Sequence, residues 1–558
     1  MRPVPLLLLL PTCAVVAQTP PPLVGEAHRR ATEAYRCQGA GDLPGALAAV
    51  DAALALAPRH PQLLRLQVDL LVAAGQPERA EAPLQVLLDQ RPGDPDLRLL
   101  RVGLLQRRGR LGDAAEEAAG ILATPGLGAA HQQRARLTLA DLEQAQGRPA
   151  LALEALAPLD RDPVLEVQSR RAFLLLASGR SEAACQAFEE ALQLEPAPGH
   201  RAVLLRGLGD ASRAALRPDL ELRALEQLQA QDPGDRRAAL ELAYAYLARQ
   251  RDADALAQFA TALDEQSRPE AWLDAGYTAK RLGQNTLAAG LLSRGLALRK
   301  AAGLVDPEKD HRLRREVEQL ERTWTFLATT AFRQGALLPG ASAQEHLVQQ
   351  GLEAAFQPRG WARDGRGAQL FAQAFENLRT GDGGATGGPS FQGVLGLRLK
   401  PFSTQNLVLS AQRLFRGGRT ALDDWMFRAA WSLSEGLDLQ PWQGHWPAWS
   451  LYAEGATFAR TGHAVFQAEA RVGHAWRPEA LGGGTVVTPH AVLAVDFDNQ
   501  MLPRPAGGLG LGTSLRRWIG GTPRTAPAAW MELTLQARAR ISAAPRGGGL
   551  FATLSMSF

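Results

Sequence analysis

The sequence predicts two architectures in series: an α-solenoid of short helix pairs, then an antiparallel β-barrel of about twelve strands. Three observations carry this reading. In the first three hundred residues a turn glycine, a small residue and a helix-stopping proline return about every 34 residues. After residue 320 the apolar period moves from about 3.6 to 2. Ten of the eleven tryptophans lie in that second part, and only Trp272 lies in the first. At 558 residues the chain has room for two or more domains.

The first element is MRPVPLLLLLPTCAVVAQTP. Arg2 gives a positive start, Leu6–Leu10 and Ala14–Val16 an apolar stretch, and Val15-Val16-Ala17 small residues for cleavage. Residues 1–17 therefore read as a secretory signal peptide. Cys13 sits behind Pro11-Thr12, a poor context for lipidation. The remaining Cys37 and Cys185 fall in helical patterns far apart without CxxC spacing, so two core residues are expected rather than a disulfide or a metal site. A net charge of +4 argues against a dedicated nucleic-acid binder. No later stretch holds eighteen consecutive apolar residues, so any membrane insertion must be by strands.

The second element spans residues 24–305. GDLPGALAAVDAALALAP, GQPERAEAPLQVLLDQRP, GRLGDAAEEAAGILATP, GRPALALEALAPL and GRSEAACQAFEEALQLEP are variants of one pattern. The small-residue anchors are Ala46, Ala80, Ala114, Ala152 and Ala184, then Leu222 in place of a small residue, then Ala255 and Ala288. Their spacings are 34, 34, 38, 32, 38, 33 and 33 residues. Pro58, Pro92 and Pro196 each follow an anchor by twelve residues, where a second helix must stop. This period resembles that of eight tetratricopeptide repeats. Each helix pair buries its apolar face only against its neighbours, which leaves an extended surface suited to binding proteins.

The third element spans residues 323–558. In AWMELTLQARARIS, Met531, Leu533, Leu535, Ala537, Ala539 and Ile541 share one face, opposite Glu532, Thr534, Gln536, Arg538 and Arg540. FQGVLGLRLK and DWMFRAAWSLS alternate in the same way. Segments of about ten residues, long enough to cross a bilayer as tilted strands, are divided by turns such as Arg416-Gly417-Gly418 and Gly482-Gly483-Gly484. A meander in lipid has to close, because an open edge would leave backbone groups unpaired. Tryptophans at segment ends are expected to form interfacial girdles. A soluble β-sandwich also alternates, but it accounts for neither the leader nor the tryptophans. An even strand count puts both barrel ends on the periplasmic side, with the longer loops facing outward.

A repeat array joined to such a barrel is similar to the exopolysaccharide-export proteins of Gram-negative bacteria. More specifically, LKPFSTQNLVLSAQRLF, DDWMFRAAWSLSEGLDLQP, WPAWSLYAEG, TPHAVLAVDFD, GLGTSLRRWIGG and GLFATLSMSF resemble the C-terminal domain of the bacteriophage adsorption protein A (NfrA) family. The resemblance covers about residues 320–558, and the repeats match only in kind. It implies an outer-membrane phage receptor working with an inner-membrane glycosyltransferase, or with other periplasmic proteins bound to the array, in making or exporting a surface glycan. It also implies that the aromatic end of the last strand, Phe558, is read by the barrel-assembly machinery.

Between residues 390 and 558 there are sixteen Lys/Arg against ten Asp/Glu. Those expected to line the lumen are Arg398, Lys400, Arg428, Glu454, Glu469, Arg471, Asp496, Arg516, Glu532, Arg538 and Arg540. A basic-leaning lumen suits an anionic or neutral polymer. The competing expectation is that these charges pair across the lumen and fill it, leaving a non-conducting anchor that presents the array. No enzyme is expected: there is no GxSxG, the histidines of the second half are scattered, and the glycine-rich stretches precede no helix. No metal ligand, cofactor or nucleic-acid partner is expected. The expected partners are outer-membrane lipid and periplasmic proteins, with polysaccharide and phage as the resemblance implies.

Overall fold

The computed structural model describes residues 22–159, 163–332, 347–381 and 383–558. The expected leader, residues 1–17, lies outside them. The chain divides into two compact units, one ending at Asp232 and the other running from Pro233 to Phe558.

The first unit holds twelve helices among its described residues, from α1 (Gly25–Gly39) to α12 (Pro218–Gln231). In α2 (Leu43–Leu56), α4 (Pro77–Gln90), α6 (Leu111–Leu122), α8 (Pro149–Leu156) and α10 (Ser181–Gln193) the fourth residue is Ala46, Ala80, Ala114, Ala152 and Ala184 in turn. All five are fully buried. A methyl group there lets the paired helices approach closely, and leucines such as Leu63, Leu70 and Leu84 fill the space around it. The sixth repeat departs from the expected anchor. The fourth residue of α12 is Glu221, one before Leu222, and its carboxylate takes the Arg213 Nε of α11 (Pro198–Ala214) at 2.8 Å. An ion pair stands where the other repeats bury a methyl, and Leu222 is only half-buried.

The turn glycine has a backbone reason. Gly75 and Gly109 close their helices at φ of 70° and 73°, the left-handed region that a side chain disfavours. Leu216 and Gln250 occupy the same kind of turn at 55° and 58°. The glycine signature is therefore missing at those two turns.

The second unit begins with α13 (Arg236–Leu247), α14 (Asp252–Ala262), α15 (Pro269–Arg281), α16 (Asn285–Ala301) and α17 (Pro307–Glu321). The last of these lies beyond the expected repeat boundary at 305. Asp306 caps it, its side chain accepting from the Lys309 amide, and Pro307 opens its first turn. Leu313 and Val317 bury its apolar face against Leu273, Leu292 and Leu296.

Only Arg322 and Thr323 separate α17 from the sheet. The strands are β1 (Trp324–Phe332), β2 (Val348–Phe356), β3 (Ala362–Arg363), β4 (Arg366–Arg379), β5 (Gln392–Lys400), β6 (Asn406–Arg416), β7 (Asp424–Glu435), β8 (His445–Phe458), β9 (Ala464–Trp476), β10 (Thr485–Asp498), β11 (Ala506–Ile519), β12 (Ala529–Arg540) and β13 (Gly549–Ser557). All pairings are antiparallel. β3 is a two-residue strand in the connection before β4. The other twelve close a barrel, because β2 pairs with β4 and β1 pairs with both β2 and β13. Phe326 and Phe558 exchange two backbone hydrogen bonds of 3.0 and 2.9 Å, so no strand edge is left open at the seam.

The period-two pattern sets the faces. Leu395, Leu397 and Leu399 of β5, Trp425 and Phe427 of β7, Leu509 and Leu511 of β11 and Met531, Leu533 and Leu535 of β12 are exposed on the outer surface. Their polar neighbours turn inward. The tryptophans split. Trp324, Trp425 and Trp476 stand outside, whereas Trp446 and Trp518 are buried with Trp530 packed against them at the helix side of the interior. The expected girdle is thus only partial. Trp446 and Trp518 have inward parity, so they fill the mouth instead of facing outward.

The connections on the helix side are not uniformly short. Apart from residues 401–405 they span 357–365, 436–444, 477–484 and 520–528. Three of them reach the helices. Asn285 Nδ2 donates to the Ala362 carbonyl at 3.3 Å, Arg315 pairs with Asp438 at 2.9 Å, and the Ala526 amide donates to the Arg314 carbonyl at 3.2 Å.

Candidate functional site

Strand parity brings most of the sequence-selected charges together inside the barrel, where they form four ties. Arg398 of β5 reaches Glu353 of β2 at 2.9 Å and lies 4.5 Å from the Phe371 ring centre. Arg428 of β7 pairs with Glu454 of β8 and donates to the Tyr452 hydroxyl at 2.9 Å, while that hydroxyl donates to Glu454 at 2.6 Å. Glu469 of β9 takes both Arg471 and Arg538, the second from β12, three strands further round the wall. Arg516 of β11 pairs with Glu532 of β12 at 2.6 Å and donates to the Leu437 carbonyl at 3.0 Å.

The three remaining selected residues lie towards the ends. Asp496 takes Arg546 at 2.8 Å near the side away from the helices. Arg540 is exposed at that same end of β12. Lys400 closes β5 on the helix side and lines a pocket there. Phe558 stands exposed on the outer face, beside the backbone pair it makes with Phe326.

Several partners escaped selection. Tyr452 lies two residues before Glu454 on the same face, and Arg546 lies in the last turn. Glu353 belongs to β2, whose alternation is weak because Gly351 and Ala355 supply half of its inner side. Extending the parity of each strand to its uncharged polar residues finds Gln373, Gln467 and Gln536. Gln467 donates to Glu454, and Arg538 Nε donates to Gln536 at 2.9 Å.

These ties divide the interior. A cavity of about 380 Å³ is lined by Tyr452, Gln467, Glu469, Arg471, Arg538 and Arg546. A smaller one of about 60 Å³ lies among His490, Ser514, Arg516 and Glu532. Buried charges need partners, because an unpaired ion out of water is very costly. The pairing therefore offsets the cost of holding these charges inside the barrel and narrows its interior at once.

The helix-side mouth is a second locus. Arg315 of α17 pairs with Asp438, donates to the Pro527 carbonyl at 3.1 Å, and lies 5.0 Å from the Trp518 ring centre. Arg524 reaches back to Glu321 and donates to Ser293 Oγ at 2.9 Å. His311 is buried with its ring 5.5 Å from that of Trp442. Burial, with the nearby Arg314 and Arg315 guanidiniums, pushes its pKa down to about 4, against some opposition from Asp438. Trp446 and Trp518, with Trp530, lie in the barrel end under this helix.

Cys185 is buried with its thiol 3.7 Å from Ser212 Oγ, and Cys37 is half-buried. Among the described residues no group of three or more His, Cys, Asp or Glu side chains is placed to hold a metal ion, and no helix is long and apolar enough to cross a membrane.

Residues 383–554 match the family model described as Bacteriophage N adsorption protein A C-term, and residues 38–104 match a tetratricopeptide repeat model. No curated protein matches this chain. Among solved structures the chain is similar to a tetratricopeptide repeat protein from Parabacteroides merdae, at 15% identity over 42% of this chain and 92% of that one, with a TM-score of 0.32. It is also similar to PilW, a type IV pilus biogenesis factor, at 17% identity over 37% of this chain and 94% of that one (TM-score 0.31). A third is the C-terminal part of a repeat protein from Cytophaga hutchinsonii, at 15% identity over 41% of this chain and 93% of that one (TM-score 0.35).

Proposed function

From a chain in which a tetratricopeptide region is followed by a C-terminal domain of the bacteriophage adsorption protein A type, we propose an outer-membrane protein that takes part in surface-glycan export and serves as a phage receptor. The observation that carries this is the closed barrel itself, with an apolar outer surface around a charge-lined interior. Its long strands run from nine to fourteen residues, enough to cross a bilayer at the tilt barrels adopt. In this reading the helices face the periplasm. They offer surface to an inner-membrane glycosyltransferase or another periplasmic protein, as repeat arrays do. The role is one of binding and passage rather than catalysis.

The test is deletion of the gene in its Gram-negative host, with secreted glycan and phage adsorption measured before and after complementation. Loss of both, restored by the intact gene, is the expected result. Unchanged glycan secretion in the deletion strain overturns the export half, and unchanged adsorption overturns the receptor half.

One observation favours a second reading. The Glu469–Arg538 and Arg516–Leu437 contacts run across the interior, which supports a non-conducting anchor that presents the helices to partners. Single-barrel conductance in planar bilayers separates the two: a steady open level supports passage, and a silent barrel supports the anchor.

A further inference from the structure

A cavity of about 420 Å³ lies where the inner ends of β4 and β5 meet α15, α16 and α17. It is rich in cations. Lys280, Arg363, Arg366, Arg398 and Lys400 line it, against Glu316 and Asp364. Two of these cations are already neutralised: Lys280 sits 2.6 Å from Glu316, and Arg398 is 2.9 Å from Glu353. That leaves Arg363, Arg366 and Lys400 facing Asp364 alone. Among the described residues no carboxylate comes within ion-pair distance of Arg366 or Lys400. Arg363 is held in place by donating to the Arg281 carbonyl at 3.0 Å.

The rest of the lining is chemically specific. Asn285, Gln319, Gln357 and Gln369 bring amide groups that both donate and accept, as a ring of hydroxyls requires. Fixed cations beside amides, in a cavity of this size, fit a sugar ring that carries a negative charge.

We propose that this cavity binds an anionic saccharide unit, such as a hexuronate of a longer polymer, at the helix-side entrance of the barrel. The proposal rests on the export reading and names the class of cargo. Lys400 and Arg366 provide the net attraction, and Gln357 and Gln369, joined by a hydrogen bond of 3.0 Å from Gln369 Nε2 to Gln357 Oε1, read the hydroxyls with their remaining amide hydrogens and lone pairs. Arg398 stands at the inner wall, where the cavity meets the tied interior. The unit would therefore reach the helix side of the ties before any passage.

The experiment uses the full chain in nanodiscs and titrates it by calorimetry with trigalacturonate, maltotriose and inorganic phosphate. Trigalacturonate is expected to bind, and maltotriose at least tenfold more weakly. Arg366→Gln with Lys400→Gln should weaken trigalacturonate tenfold or more, while the heat-shifted gel mobility of the folded barrel stays unchanged. Equal binding of maltotriose overturns the charge requirement. Phosphate binding as tight as trigalacturonate overturns the saccharide. No binding of trigalacturonate by a folded barrel overturns the site. The readout is independent of secretion. A folded chain that binds trigalacturonate while its deletion strain still secretes glycan sinks the export reading and keeps the site; secretion lost on deletion with no binding sinks the site alone.

Discussion

Arg315→Ala should loosen α17 from the barrel mouth, and the structure fixes how much. Its bond to the Pro527 carbonyl is charge-assisted and contributes about 1.5 kcal/mol. Its place over the Trp518 ring adds about 0.5–1 kcal/mol. The pair with Asp438, whose side chain is 65% exposed, adds at most about 0.5 kcal/mol because water screens it. The total of about 2–3 kcal/mol corresponds to roughly 30- to 140-fold in the docking equilibrium. Amide hydrogen exchange on the full chain reads this directly, in the α17 segment from Leu313 to Leu320. Arg312→Ala is the control, since Arg312 is 74% exposed and among the described residues pairs only along its own helix, with Glu308. Protection lost by the expected factor in Arg315→Ala and kept in the control supports the latch. Equal exchange in the two variants refutes it, because the mouth contacts would then contribute nothing to docking.

Three further outcomes follow from other parts of the chain. His311 has its folded pKa at about 4, below the ordinary value near 6.5, so the unfolded state takes up the proton first as pH falls. Stability is therefore full above pH 6.5 and is lost progressively down to about pH 4, by roughly 3 kcal/mol. Urea unfolding at pH 7.5 and 5 measures this, and His311→Gln should flatten the dependence; a variant as pH-sensitive as the native chain contradicts the assignment. Glu454→Ala strips Arg428 of its counter-ion and Tyr452 of its acceptor, at a cost of about 3–5 kcal/mol. The temperature at which the barrel band shifts on a gel should fall, and an unchanged temperature would mean that water already solvates the pair. Leu216→Gly relieves a left-handed backbone at an exposed position and should stabilise the helices by about 1 kcal/mol in thermal melts.

How much of this was legible in the sequence depends on how local each signal is. The helix pairs were legible because a buried alanine, a turn glycine and a stopping proline recur at fixed offsets, each answering a local demand. The sixth anchor was misplaced by one residue because Glu221 does its work through a partner, Arg213, that no spacing rule anticipates. Strand parity told inside from outside for Arg428, Glu454, Glu469 and Arg538, since a period of two depends on the backbone alone. The same rule, followed strictly, would have turned Trp446 and Trp518 inward. The expectation of a girdle overrode it. Helix α17 went unseen although Asp306-Pro307 marks its start, because it falls outside the repeat period. The mouth pocket was not legible at all. It joins Lys280 to Lys400 and Arg366 through tertiary packing, and strand parity in the sequence singles out only Lys400 and Arg398 among its cations.

The short link between α17 and β1 has a mechanical consequence. With only Arg322 and Thr323 between the last helix and the first strand, no slack is available to absorb a pull. The strand that receives the load is β1, and one of its two neighbours is β13, across the closure where the two ends of the barrel chain meet. A partner tugging on these helices therefore applies its force at the seam, while the bonds of Arg315 and Asn285 to the neighbouring connections, and of Arg524 in one of those connections to Ser293 of α16, spread part of that load around the rim.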